Sequence, residues 1–135
     1  MSLIADAANV SADGKLNVLG RFGVVFAPSL PAMHPSMVLV VELQADSFEA
    51  GETKKIEVVL SDPDGHEMSR VNATAVLPTP TAPGPMNSLM ILDFRALNFQ
   101  KPGPYSFATT IDGVTKQPTT DFSVVLIPQS GARTP

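Results

Sequence analysis

Proline sets the terms on which this chain can fold. Thirteen of its 135 residues are proline and nine are glycine. No stretch of eleven residues keeps an apolar stripe at i, i+3, i+4 and i+7 without one of them interrupting it. Ordinary helices are thereby excluded, and with them the parallel crossovers and nucleotide-binding folds built on helices. The prolines fall mostly between short apolar runs, where a residue lacking an N–H donor harms no ladder. The chain therefore reads as strands separated by turns.

Those strands can be placed. Leu3 to Val10 leads into Ser11-Ala12-Asp13-Gly14, a hairpin turn in which Gly14 takes positive φ. Lys15 to Phe26 follows, and Gly20 and Gly23 within it predict a bend that lets one long strand serve two sheets. After a loop from Pro28 to Pro35 come Met37 to Ala45, the acidic turn Asp46 to Glu52, and Lys54 to Ser61 with Ile56, Val58 and Leu60 in alternation. Asp62-Pro63-Asp64-Gly65 has the composition of a type I turn before a strand over His66 to Leu77. Pro78 to Pro85 holds four prolines in eight residues and predicts an extended connection. Ser88 to Leu97, Tyr105 to Ile111 and Asp121 to Ile127 complete the set. About eight strands argue a single antiparallel β-sandwich, immunoglobulin-like or jelly-roll-like, over residues 1–127, with a Pro- and Gly-containing tail over 128–135.

Composition bounds the partners. Charged residues are 16% and hydrophobic ones 44% of the chain, so it must bury a core and is not a disordered segment. The net charge of -4 has the wrong sign for a phosphate-binding surface, which speaks against nucleic acid. With no cysteine, a disulfide framework, a thiolate zinc site and a cysteine nucleophile are all impossible. The opening Met1 to Asp6 has no basic region and too short an apolar run for a secretory signal, so synthesis and retention inside the cell are expected. No apolar run approaches the ~18 residues of a spanning helix, so no membrane partner is expected. Asn9-Val10-Ser11 and Asn72-Ala73-Thr74 match the glycosylation sequon and, without a secretion signal, read as chance.

The C-terminal third, Phe99-Gln100-Lys101-Pro102-Gly103-Pro104-Tyr105-Ser106-Phe107 with Ile111-Asp112-Gly113 and Phe122-Ser123-Val124, resembles the last two strands of immunoglobulin-like sandwiches. In those sandwiches a Tyr begins a strand and packs at the corner, and Tyr105 is the one candidate. Together with Ala5-Asp6-Ala7-Ala8 and Asp13-Gly14-Lys15-Leu16-Asn17-Val18-Leu19-Gly20, the order of elements looks like a family of uncharacterised, small bacterial and phage-borne all-β proteins. The resemblance implies a fold and carries no activity.

Catalytic and metal chemistry find little footing. No Gly-x-Ser-x-Gly elbow is present. His34 and His66 are the only imidazoles, and an enzyme would need one of them in a cleft within hydrogen-bond reach of a carboxylate. Asp62, Asp64 and Glu67 invite a calcium reading, but the twelve-residue loop with alternating ligands is absent and turn chemistry accounts for them. Asp46, Glu49 and Glu52 read as a solvated loop. Neither a metal nor a cofactor is expected.

One departure from a plain sandwich is informative. Met37 to Val41, Leu89 to Leu92 and Val124 to Ile127 are apolar on both faces, whereas a sandwich strand needs only one. If Leu39, Val41 and Leu43 point inward, Val38 and Val40 point out; if Met90, Leu92 and Phe94 are core, Leu89 and Ile91 are outside. Exposed apolar patches mark contacts with other proteins. The expected contact residues are therefore Val38, Val40, Leu89 and Ile91, with Pro80, Pro83 and Pro85 of the proline loop and Arg133 of the tail as arms. The expected function is a non-enzymatic structural or interaction protein that self-associates or coats a larger assembly, most concretely a virion accessory or capsid-decoration protein. The alternative is a cytoplasmic sandwich module that binds a small ligand or peptide in a loop-end pocket near Met33, His34 and Met86.

Overall fold

The computed structural model describes residues 1–46, 49–77, 86–115 and 119–127. Ten strands lie among the described residues: β1 (Ser2–Val10), β2 (Leu16–Arg21), β3 (Val24–Ala27), β4 (Ala32–Ala45), β5 (Thr53–Ser61), β6 (Glu67–Val76), β7 (Met86–Phe99), β8 (Gly103–Ile111), β9 (Val114–Thr115) and β10 (Thr120–Leu126). One sheet runs β2-β1-β4-β7; the other runs β3-β10-β8-β5-β6, with β9 added beside β8. The all-β sandwich matches the sequence expectation, with two differences. Ten strands replace eight, and the pairing is not wholly antiparallel, because β3 lies parallel to β10.

The extra strands have local causes. The run from Lys15 to Phe26 breaks at Phe22-Gly23, so that β2 borders the first sheet and β3 borders the second. Gly20 holds φ at +71° opposite Asp6, where a Cβ would collide with the Asp6 carboxylate. β4 begins at Ala32 and absorbs Pro35, which had read as the end of a loop. β1 flanks β4 only from Val38 to Val41, so the missing N–H of Pro35 faces a single neighbouring strand, β7. The β4–β7 ladder runs from Ala32↔Phe99 to Ala45↔Met86 in one register, interrupted at Pro35 and Ala96. Its inward rows change parity where Pro35 faces Ala96, whose φ is +53°.

Between the sheets lies an apolar core that includes Ile4, Met37, Leu39, Val41, Ile56, Val58, Leu60 and Phe94. Aromatic rings anchor one end: Phe99 meets Tyr105 edge-on at 4.9 Å, and Tyr105 stacks on Phe122 at 5.5 Å. Tyr105 is 1% exposed and donates its hydroxyl to the Lys101 carbonyl at 2.7 Å. A buried tyrosine at a strand start bonded to backbone four residues upstream is the corner that the sequence suggested. Burial raises its phenol above the ordinary tyrosine range. Gly103, at φ +126°, lets the Asp62–Gly65 turn seat Pro63 against the start of β8.

A second apolar layer lies outside the first sheet. Leu3, Ala5, Val38 and Val40 form a buried cluster separate from the main core, with Ala8, Leu16, Leu89 and Ile91 packed around it. β1 leaves β4 after Ala5 but stays paired with β2 as far as Val10↔Leu16. The far half of this hairpin thereby brings Ala8 and Leu16 against the outer face.

Candidate interaction surface

The second layer corrects the expected contact site. Val38 and Val40 do point away from the main core, as alternation requires, yet they are only 5% and 0% exposed. Their own β1–β2 hairpin covers them, so they offer no surface to a partner. Leu89 and Ile91 are half-buried at the margin of the same cluster. Pro80, Pro83, Pro85 and Arg133, and with them the proposed arms, lie outside the described residues.

Exposed apolar surface gathers instead on the second sheet. Along β3, Val25 and Ala27 are buried, while Val24 and Phe26 are 39% and 63% exposed. Along β10, Phe122 and Val124 are buried and Val125 is 40% exposed. The register sets Val125 beside Phe26. Ile127 donates its N–H to the Ala27 carbonyl, which carries the ladder one residue further and leaves its exposed side chain next to the same row. Val24, Phe26, Val125 and Ile127 thus share one outward face at the border of the sheet. Gly23 and Ala27 spend their carbonyls on β10, through the N–H groups of Ser123 and Ile127. By strand alternation the main-chain groups of Val24 and Phe26 face away from β10, where no described strand follows.

None of these four residues is among the contacts expected from the sequence. Val124 to Ile127 reads there only as a run apolar on both faces, and the β3 half lies inside one long strand from Lys15 to Phe26. Its signal was the run Val24-Val25-Phe26, and only the parallel pairing brings the two rows together.

The loop-end pocket is not formed as expected. Met33 pairs with Asn98 while Met86 pairs with Ala45, at opposite ends of the β4–β7 ladder and some ~40 Å apart for twelve extended residues. The His34 ring sits between Phe22 and Phe99 at centroid distances of 5.9 and 6.3 Å. A cavity of about 420 Å³ opens elsewhere, at the seam between the sheets, lined by Ser2, Glu42, Gln44, Thr109, Thr120 and Asp121 among others. The Ser2 and Thr120 hydroxyls hydrogen-bond to each other there. Asp121 accepts from Ser106 and Thr119 at 2.7 and 2.8 Å.

Asp62, Asp64 and His66 bring one ligand atom each within 4.8 Å of one another. Those atoms already have work. Asp62 Oδ1 accepts the backbone N–H groups of Asp64 and His66 at 2.9 and 2.8 Å, and Lys101 Nζ pairs with the Asp64 carboxylate. Partial burial pushes the Asp62 carboxyl upward, but the two backbone donors, together with the neighbouring His66 and Lys101, hold it below the usual range. His66 stands 3.6 Å from Asp62 with its side chain 79% exposed, in no cleft. The group is a tied turn, and its cation is a lysine.

No curated protein matches the sequence. A family model does, over residues 1–125, and the chain accordingly belongs to DUF6941, a family of unknown function.

Proposed function

We propose that the protein is a non-enzymatic structural or interaction module that self-associates or coats a larger assembly. The observation that carries this reading is the apolar border of the second sheet, where Phe26 and Val125 stand exposed side by side. Its most concrete form is a virion accessory or decoration protein, which the likeness in turn order to small phage-borne chains supports. The net charge of -4 favours protein over nucleic acid as the partner. The packing of His34 between two phenyl rings and the exposed position of His66 favour a role without catalysis.

The seam cavity favours a second reading, a module that binds a small ligand or peptide. Its hydroxyl and carboxylate lining suits a hydroxyl-bearing or cationic group.

Phe26→Asp separates the two. Because Phe26 is 63% exposed, the variant should keep the wild-type unfolding midpoint while its assembly in light scattering falls short of the wild-type size across a concentration series. Unchanged assembly in a folded variant would refute this surface.

A further inference from the structure

Each sheet has two borders, and the four border strands among the described residues differ in how they resist pairing with another chain. β2 is six residues long and broken by the positive φ of Gly20. β3 has four residues and ends at Pro28. β6 lies beside a register shift at Leu60/Ser61, and its Arg70 is held by Glu57 and Glu67 at 2.5 and 2.6 Å. β7 has one of these devices, the positive φ of Ala96, and it falls near the end of the strand. From Met86 to Arg95 it runs ten residues without proline, glycine or lysine, ahead of the change of parity at Ala96.

β7 is also incompletely covered on both faces. On the outer face Leu89 and Ile91 border the cluster containing Val38 and Val40 and are half-buried. On the inner face Met90 and Leu92 border the main core and are half-buried as well. On the side of β7 away from β4 no described strand follows, and one more strand would complete these half-covered apolar rows. The order of side chains indicates which strand. Reading the outer face in steps of two gives Asn87, Leu89, Ile91 and Asp93, a pattern that matches its own reverse.

We propose that β7 is a homodimer interface, in which two copies pair antiparallel about a two-fold axis at Met90. Leu89 then faces the partner's Ile91, and Asn87 faces the partner's Asp93, an amide donor set against a carboxylate acceptor; each contact occurs twice. Asn87 and Asp93 are both exposed, and neither has a side-chain partner among the described residues. The first sheet becomes one eight-stranded sheet, and the outer apolar cluster continues across the axis. This deepens the assembly role proposed above by naming its self-contact, and it uses a different border from Phe26.

The test exploits a chain without cysteine. In Asn87→Cys/Asp93→Cys the two thiols lie about 20 Å apart along one strand, too far to join within a chain. Across the axis they are opposite. Mild oxidation should give a covalent dimer on a non-reducing gel from the double variant, and from a mixture of the two single variants, but not from either single variant alone. Phe26→Asp, which removes the other contact, should still show a dimer mass in light scattering. Equal cross-linking by each single variant, no cross-linking at a concentration where light scattering shows dimer, or a monomer at every concentration up to about 1 mM would overturn the proposal. If wild-type protein assembles, Phe26→Asp is monomeric and the double variant fails to cross-link, the β7 pairing falls while the assembly reading stands.

Discussion

Val40 is the residue on which the two-layer architecture of the first sheet turns. On a sandwich with a bare outer face, Val40→Ala would remove a surface side chain and cost no more than about 0.5 kcal/mol. In this fold Val40 is 0% exposed and lies in a cluster with Leu3, Ala5 and Val38, closed by the hairpin residues Ala8 and Leu16. Two methyl groups at about 0.8 kcal/mol each, with a contribution from the cavity left behind, predict a loss of roughly 2–3 kcal/mol. For a urea slope of about 2 kcal/mol/M this lowers the unfolding midpoint by roughly 1–1.5 M with the slope unchanged. Leu16→Ala, at a half-buried position across the same layer, should cost about 1 kcal/mol, and the two changes should be non-additive by roughly 0.5 kcal/mol or more because they share a contact. Leu19→Ala, 72% exposed on the same hairpin, provides the control and should cost almost nothing. A Val40→Ala variant that unfolds at the wild-type urea concentration would show that the hairpin does not cover the sheet.

Two further outcomes follow from the corner and the turn. Tyr105→Phe keeps the ring stack and removes only the hydroxyl that serves the Lys101 carbonyl, so a loss of about 1–2 kcal/mol in the same urea assay is expected; a change of a few tenths would mean that water replaces the bond freely. Asp62 titrates lower in the folded than in the unfolded chain, so the stability it contributes is present above the unfolded value near pH 4 and fades as pH falls through the lower folded value. Asp62→Asn should therefore separate from wild type at neutral pH and converge with it in acid, and parallel stability curves between pH 7 and pH 2.5 would refute the assignment.

What the sequence disclosed was mostly local. Turn chemistry at Asp62 to Gly65, the alternation of Ile56, Val58 and Leu60, and Tyr105 after Pro-Gly-Pro all depend on neighbours within a few residues, and all reappear in the fold. The inward and outward rows at Val38 to Val41 were also legible, because a strand has a period of two. Burial was not. Whether an outward valine meets water or a hairpin depends on where β1 parts from β4, and that point, after Ala5, belongs to a pairing that no stretch of sequence announces. The parallel pairing of β3 with β10, which assembles the exposed border, joins residues about a hundred positions apart and was hidden for the same reason.

That long-range pairing also governs how the molecule can be made. β3 has one neighbour, β10, and β10 stands between it and β8. A ribosome emitting this chain releases Val24–Ala27 early and Thr120–Leu126 nearly a hundred residues later, so the border strand waits, unpaired, through most of synthesis. Strands β4 and β7 of the first sheet can zip together before that; the second sheet cannot close until its last strand is out. Phe26 is therefore bare before the fold is finished as well as after, and a nascent chain held in that state is where a chaperone or a premature partner would first find it.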